Sequence, residues 1–537
     1  MRKHLLPIFL IFIFSLWSLQ SLFQSGFMYS HDSLWHVERI QNISTLIPEQ
    51  FPVRWSPTLD NGFGIPLFNF AYPAPYYLGA VFMFLGLGPI KAYYTLIFLS
   101  YFLGGVGVYL LGHRHRFIGI TASLLYLLAP YQFLDIFVRG ALGEVVALGL
   151  FPWIILSYQQ LSKSGKLRWY SSVPMALLLL SHNFYAYLFS GLMAFLTLTF
   201  YKHRLKIILS YLFSLALSAF FLLPAFFERS YLLIAQAVDY GFEAHFVFPP
   251  QLLYSPWSYL GSLPGNNQTE MSYQLGLASL LVLALSLIYL LTRIVRRQLP
   301  RRLTVLTLAF FFVIFMTLPS SLWFWHSLPL VSSLQFPWRF LGLATILIPL
   351  IYLSLAKLLA PKKPRLFLIF SLTLVLLALV NTRNYHRPVQ WLSGDEFLAL
   401  HYEYVGKTTT AHRDELVPRW ATKERWKNGP SLIVDDGVEL RDLTESAYQT
   451  SFWATSPDSE LRAISARNYY PSWYATRDGE PLLISPSDTG EVIIPLTDGE
   501  HYYQLALAST RVATFANFLS LFSLAILGMI IWKGKSK

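Results

Sequence analysis

The sequence predicts a polytopic α-helical membrane protein of about twelve transmembrane helices, with a β-sandwich-like domain inserted before the last of them. Three observations predict this. The 537 residues are 54% hydrophobic and 13% charged, with a mean hydropathy of +0.46, whereas soluble domains carry about 25% charged residues. Seven cationic clusters, from Arg2-Lys3 to Lys533/Lys535/Lys537, hold 22 of the 41 Lys and Arg, lie between apolar runs and contain no Asp or Glu. Residues 382–511 hold 19 of the 29 acids and have the composition of a soluble domain.

Such segregation is what the positive-inside rule produces, so the clusters and both termini are expected to be cytoplasmic. The net charge of +12 therefore reports topology, and a nucleic-acid partner is excluded. The chain has no cysteine, which removes disulfides, thiolate metal sites and cysteine nucleophiles.

Leu5–Leu22 follows Arg2-Lys3 and is expected to persist as a first helix, because Ser25-Gly26-Phe27 is a poor signal-cleavage site. At about 20 residues per crossing, further spans fall near 92–112, 117–134, 144–161, 170–182, 184–201, 206–227, 273–292, 303–319, 338–357, 366–381 and 512–532. Ala71–Gly88 is read as an interfacial or re-entrant helix, since as a span it would place His113-Arg-His-Arg116 outside. The short segments around Ser181-His182-Asn183 read as a shallow hairpin bordering a cavity. The external connections are then 25–91, 135–143, 228–272, 320–337 and 382–511. Three units result: a transmembrane domain over 1–381, an extracytoplasmic β-rich domain over 382–511, and a final helix with a basic tail over 512–537.

In the β-rich domain, strands are expected at Ser431–Val434, Tyr448–Ala454, Leu461–Ala466, Trp473–Thr476, Pro481–Ile484, Glu491–Pro495 and Tyr502–Ala508. A helical stretch near 395–405 precedes them. Arg477-Asp-Gly-Glu480 and Thr497-Asp-Gly-Glu500 both carry the Asp-Gly hairpin signature.

The densest polar segment is Tyr29–Arg39, which packs His31, Asp32, His36, Glu38 and Arg39 behind the first apolar run. A carboxylate at a helix end beside apolar walls suits a general base toward a hydroxyl, or a ligand for a divalent cation. His31 and His36 suit a phosphate leaving group. The competing reading is that Asp32 and Arg39 pair and cap an amphipathic helix. Asp135, Arg139 and Glu144 bracket a short external turn, where Arg139 either grips a phosphate bidentately or locks the hairpin through carboxylates. Arg339, in Gln335-Phe-Pro-Trp-Arg-Phe340, stands at the outer end of a span and fits a lipid-linked phosphate or snorkelling to headgroups. His182 fits either that site or a structural hydrogen bond. His113-x-His115 sits in a basic cluster and reads as loop.

His31-Asp32 with His36, Asn61-Gly-Phe-Gly-Ile-Pro-Leu-Phe68, Ala129-Pro-Tyr through Arg139-Gly-Ala to Glu144, Ser181-His-Asn183 and Gln335-Phe-Pro-Trp-Arg339 together resemble one group. It is the bacterial "6-pyruvoyl-tetrahydropterin synthase-related" family of polytopic membrane proteins, over roughly residues 1–380. The segment Asn468-Tyr-Tyr-Pro-Ser-Trp-Tyr to Gly479, with Asp498-Gly-Glu-His501, is similar to the tail domain of YfhO-type membrane proteins. Both groups resemble the GT-C superfamily of glycosyltransferases. The resemblance implies transfer of a sugar from a polyprenyl-phosphate donor to a glycan or lipid of the cell envelope, at the outer face of the cytoplasmic membrane. It also implies an acidic catalytic residue in the first external loop, here Asp32, with His31, His36, Asp135, Arg139, Glu144, His182 and Arg339 toward the donor. It does not imply pterin synthase chemistry, for which the chain offers no ligand set. The loop has no Asp-x-Asp pair, so metal dependence stays open.

Two other functions compete. A carrier or flippase of a lipid-linked intermediate would place paired charges near the membrane midplane, whereas the charges here gather at outer helix ends. A non-catalytic envelope scaffold would use the β-rich domain for binding.

Overall fold

The computed structural model describes residues 2–236, 241–263, 270–327, 331, 334–400, 416–422 and 430–535. It is mostly helical, with a β-sheet domain before the last helix. Seven helices are long and apolar enough to cross a membrane, and up to ten spans result if each bent helix pair is one crossing. The bent pairs are Arg116–Leu127 with Pro130–Arg139 at 48°, Arg204–Leu217 with Ala219–Phe227 at 74°, and Arg301–Phe315 with Pro319–Ser327 at 91°. His4–Ser18 and Trp169–Leu179 are shorter apolar helices at two further expected spans, so every expected span coincides with a helix. Ala74–Phe84, expected to lie at the interface, is a third short helix. Tyr76 and Ala80 are buried on one side of it, while Val81 and Phe84 are exposed.

Close helix contact in the bundle is set by small residues. A Cβ on Gly149 would lie 2.6 Å from the Ser100 carbonyl oxygen, so the Leu142–Ser164 and Pro89–Gly112 helices meet nearly backbone to backbone. Pro130 opens the second half of its bent pair. That half ends in a π-helical turn over Leu134–Arg139, closed by Gly140 in the left-handed region.

Strand β1 (Phe27–Tyr29) pairs antiparallel with β2 (Gln390–Leu392), tying the start of the first long connection to the entry of the β-rich domain. The helix expected near 395–405 is present over Gly394–Leu400, and 401–405 lies outside the described residues. The domain itself has two sheets. One runs β3 (Leu432–Val434), β6 (Arg462–Asn468), β10 (Glu491–Pro495), β9 (Ser485–Pro486). The other runs β4 (Glu439–Glu445), β5 (Gln449–Ser456), β11 (Gly499–Leu507), β7 (Trp473–Arg477), β8 (Glu480–Leu482). Phe452, Tyr503 and Leu505 from one sheet and Ala463, Val492 and Ile494 from the other are buried in the core.

Two expectations need correction. The Asp478-Gly479 turn is a hairpin, with both residues at positive φ joining β7 to β8. Asp498-Gly499 is not. It joins β10 to β11, which lie in different sheets, and only Gly499 is at positive φ. Strand β4 was not expected, because Glu439–Glu445 is mostly exposed and lacks an apolar alternation.

Candidate functional site

The Leu142–Ser164 helix begins beside the π-turn, and this sets Glu144 against Arg139. Arg139 Nη1 lies 2.8 Å from Asp135 Oδ1 and 2.6 Å from Glu144 Oε2. Arg339, brought in by the turn before the Leu341–Leu359 helix, donates from Nε to Glu144 Oε1 at 3.2 Å. Its Nη1 donates to Leu334 O and Gln335 Oε1, both at 3.2 Å. His182 caps the Asn183–Phe200 helix, its Nδ1 accepting from Tyr185 N–H at 3.2 Å. That bond leaves the proton on Nε2, which faces Glu144 Oε1 at 3.5 Å. Asp135, Arg139, Glu144, His182 and Arg339 are all buried, and they form one cluster of two guanidiniums, two carboxylates and an imidazole.

Aromatic rings wall the cluster. Arg139 lies 4.6 Å from the Trp338 ring and Arg339 4.4 Å from Phe184, both within cation–π range. Tyr131 Oη donates to Glu144 Oε2 at 3.3 Å, and Tyr185 Oη lies 2.9 Å from Tyr131 Oη and 3.1 Å from Arg339 O. Trp338 Nε1 donates to Ser262 Oγ at 3.2 Å, fastening the 228–272 connection to the same wall. Of the two readings of Arg139, the structure contains the carboxylate pair.

The first long connection docks on this cluster through its backbone. His31 N–H donates to Val138 O at 3.1 Å and Asp32 N–H to Arg139 O at 2.8 Å. Gly140 permits the approach: at its φ of +63° a Cβ would stand 2.0 Å from Ser30 Oγ. Asp32 precedes the Ser33–Leu46 helix but makes no side-chain capping bond to it. It is half-buried, and among the described residues no hydrogen bond or ion pair reaches its carboxylate. Its charge is felt by Arg39, Tyr72, Tyr76 and Tyr93.

The two neighbouring histidines are turned to different partners. His31 is exposed and donates from Nε2 to Tyr259 O at 3.0 Å. His36 is buried, with Nδ1 3.0 Å from Tyr76 Oη, which also accepts from Arg39 Nη1 at 3.0 Å. Burial first, and the Arg39 charge second, hold the His36 imidazole well below its ordinary range, so it is neutral at pH 7.

A divalent cation needs several convergent oxygen or nitrogen donors, and among the described residues no group of three His, Asp or Glu could hold one. Among the described residues these side chains therefore do not fit a protein-built metal site. Tyr72, Tyr76, Tyr93, Tyr131, Tyr185 and Phe184 were missed at the sequence level. Tyr72 and Tyr76 lie four residues apart, a spacing that would have put them on one helical face, but nothing in the pattern aims that face at Asp32.

Residues 68–386 match the model of a family described as "6-pyruvoyl-tetrahydropterin synthase related domain; membrane protein". The chain belongs to this family. A comparison with curated proteins finds no match for this family member. Among solved structures, it is similar to the archaeal oligosaccharyltransferase AglB from Archaeoglobus fulgidus in complex with an inhibitory peptide and a dolichol-phosphate. The identity is 16%, over 71% of this chain and 55% of that one, with a TM-score of 0.44. It is also similar to the arabinofuranosyltransferase AftD from Mycobacteria, at 15% identity over 71% of this chain and 27% of that one, with a TM-score of 0.39. A further oligosaccharyltransferase structure from Archaeoglobus fulgidus, with Zn and sulfate, matches at 17% identity over 77% and 54%, with a TM-score of 0.29. The chain spans about half or less of the length of these structures.

Proposed function

We propose that this family member is a membrane glycosyltransferase that moves a sugar from a polyprenyl-phosphate donor to an envelope glycan or lipid on the outer face of the cytoplasmic membrane. The observation that carries the proposal is Asp32, a half-buried carboxylate without a hydrogen-bond partner among the described residues, whose own N–H is fixed to Arg139 O at 2.8 Å. Glu38 and Arg39 beside it meet Asn42 and Tyr76, and a carboxylate left open is free to take a proton.

In the reaction, an acceptor hydroxyl oxygen attacks the anomeric carbon and its proton passes to the Asp32 carboxylate. The bond from that carbon to the donor phosphate breaks, and the phosphate leaves with the electron pair. Arg139 and Arg339, preorganised by Glu144, offer guanidinium N–H donors to the phosphate oxygens as that charge develops. Asp135 and His182 complete the cluster that holds them, and His31 and His36 flank Asp32 along the chain. The 382–511 domain presents the acceptor. Support for the polyprenyl-phosphate donor comes from the resemblance of the five sequence blocks, four of which contribute to or adjoin this cluster.

The test is reconstitution of the full chain with radiolabelled polyprenyl-phosphate sugars. General-base catalysis contributes about 10²–10⁴-fold, so Asp32→Asn is expected to lose roughly that factor in transfer while keeping the wild-type melting temperature. Equal transfer by the two proteins removes Asp32 from the chemistry. A second reading, favoured by the contact of Arg139 with both Asp135 and Glu144, makes the cluster a structural lock. Arg139→Lys would then lower the melting temperature without changing turnover of the folded fraction.

A further inference from the structure

The molecule has a cleft at the other end of the helix that carries Glu144. At 1.5 Å per residue along the shared Leu142–Ser164 helix, Lys163 stands roughly 28 Å from Glu144. Here a cleft of about 630 Å³ lies between the ends of the Leu142–Ser164, Asn183–Phe200, Arg301–Phe315 and Leu341–Leu359 helices. Leu196, Leu306 and Leu350 lie along its walls beside the polar Gln159, Ser162, Tyr201 and His203, and Lys163, Lys202 and Arg302 stand on its rim. No acidic residue lines it.

The neighbouring cations fasten this end of the bundle. Lys206 Nζ donates to Gly165 O at 2.6 Å and Arg301 Nη2 to Thr199 O at 2.8 Å. The rim is further held by Lys202 N–H, which donates to Ser162 Oγ at 2.7 Å. Among the described residues, the side chains of Lys163, Lys202 and Arg302 make no ion pair. Three cations thus surround a partly apolar cleft whose lining holds no acidic residue. Their mutual repulsion falls when an anion enters, and the volume matches that of ligand sites, about 300–1,000 Å³.

We propose that this cleft binds the phosphate headgroup of an anionic membrane lipid, with the lipid chains along the Leu196, Leu306 and Leu350 walls. Basic pockets between transmembrane helices recognise headgroups in this way. The site is separate from Asp32 and the buried charge cluster and does not depend on the transfer reaction.

The test uses the delipidated full chain in a neutral detergent, titrated by thermal shift with four probes: short-chain phosphatidylglycerol, a short polyprenyl phosphate, short-chain phosphatidylcholine and inorganic phosphate. Either anionic lipid is expected to raise the melting temperature saturably, and whichever binds assigns the source of the headgroup. The double variant Lys202→Gln/Arg302→Gln should weaken that binding at least tenfold, and Leu196→Trp, which fills the cleft with its charges intact, should weaken it as well. Lys357→Gln/Lys362→Gln, at the same end but outside the cleft, should bind as wild type does. The proposal is overturned if phosphatidylcholine or inorganic phosphate alone binds as tightly, if both double variants lose affinity equally, or if no lipid binds.

Discussion

At the scale of single residues, Glu144 is the group on which the buried charges balance. Its two oxygens meet Arg139, Arg339, Tyr131 and His182, whereas Asp135 meets Arg139 through one oxygen and leaves Oδ2 without a partner. Removing one side of a buried ion pair costs about 3–5 kcal/mol, because the remaining charge loses its compensation. Glu144→Gln is therefore expected to destabilise by about that amount, and Asp135→Asn by distinctly less. Denaturant unfolding in one detergent compares them, and equal losses would refute the ranking. The local part of this cluster was legible in the sequence, since Asp135, Arg139 and Glu144 lie within one turn and its flanks. The distant part was only suspected. Arg339 joins from 195 positions away, and the packing of the bundle, which no local pattern encodes, decides that contact.

At the scale of elements, the π-turn and the glycine behind it fix where the first long connection sits. Gly140→Ala places a side chain in the left-handed region, at about 1–2 kcal/mol, and drives its Cβ into Ser30 Oγ. It should lower the melting temperature and open residues 25–91 to protease. Adding Ser30→Gly removes the blocking side chain and should restore part of the loss; no restoration would mean the strain lies elsewhere. The β-rich domain shows where element reading succeeds and fails. The same Asp-Gly pair makes a hairpin at 478–479 and a crossover at 498–499, because the dipeptide sets the turn but not the sheet that the next strand enters. The first of these turns also rests on a carboxylate. Asp478 accepts from Tyr502 N–H at 2.9 Å and faces His501 Nδ1 at 2.6 Å, and these bonds hold its carboxyl below the ordinary carboxylate range. A depressed carboxyl contributes stability above its unfolded value, about 3.9, and loses it as pH falls through the folded value. Acid melts of the full chain should therefore show a loss below about pH 3.9 that Asp478→Asn lacks.

At the scale of the whole molecule, two motifs that are far apart in sequence prove to be one joint. Gly64, at φ +77°, lets the Asn61–Phe68 turn close over Trp55, where a Cβ would lie 2.4 Å from the indole nitrogen. Asn468 of the tail segment donates to Asp60 Oδ2 and to Gly64 O, both at 2.7 Å. Tyr470 and Asn69 both donate to Glu228, at 2.7 and 3.1 Å. The sequence marked both motifs, but it could not reveal that each is the other's partner. Because this joint clamps the β-rich domain to the first long connection, the domain lies at the same end as Asp32.

The opposite end collects the basic clusters. His4 Nδ1 lies 2.8 Å from Tyr109 Oη, the rings of His4 and His113 are 5.8 Å apart, and Arg301 reaches Thr199 O. Parts of the charge pattern that suggested an orientation along the chain thus meet in three dimensions. The positive-inside rule predicts that this end is cytoplasmic, and this gives a sharp expectation for labelling. The chain has no native cysteine, so single cysteines report without background. Arg114→Cys should react with a membrane-impermeant maleimide only after the cells are opened. Asp488→Cys, in the β-rich domain, should react in intact cells. Reaction of residue 114 from outside would invert the whole arrangement and place Asp32 in the cytoplasm. A chain so inverted would have its 22 clustered cations outside, against the bias that sets membrane topology.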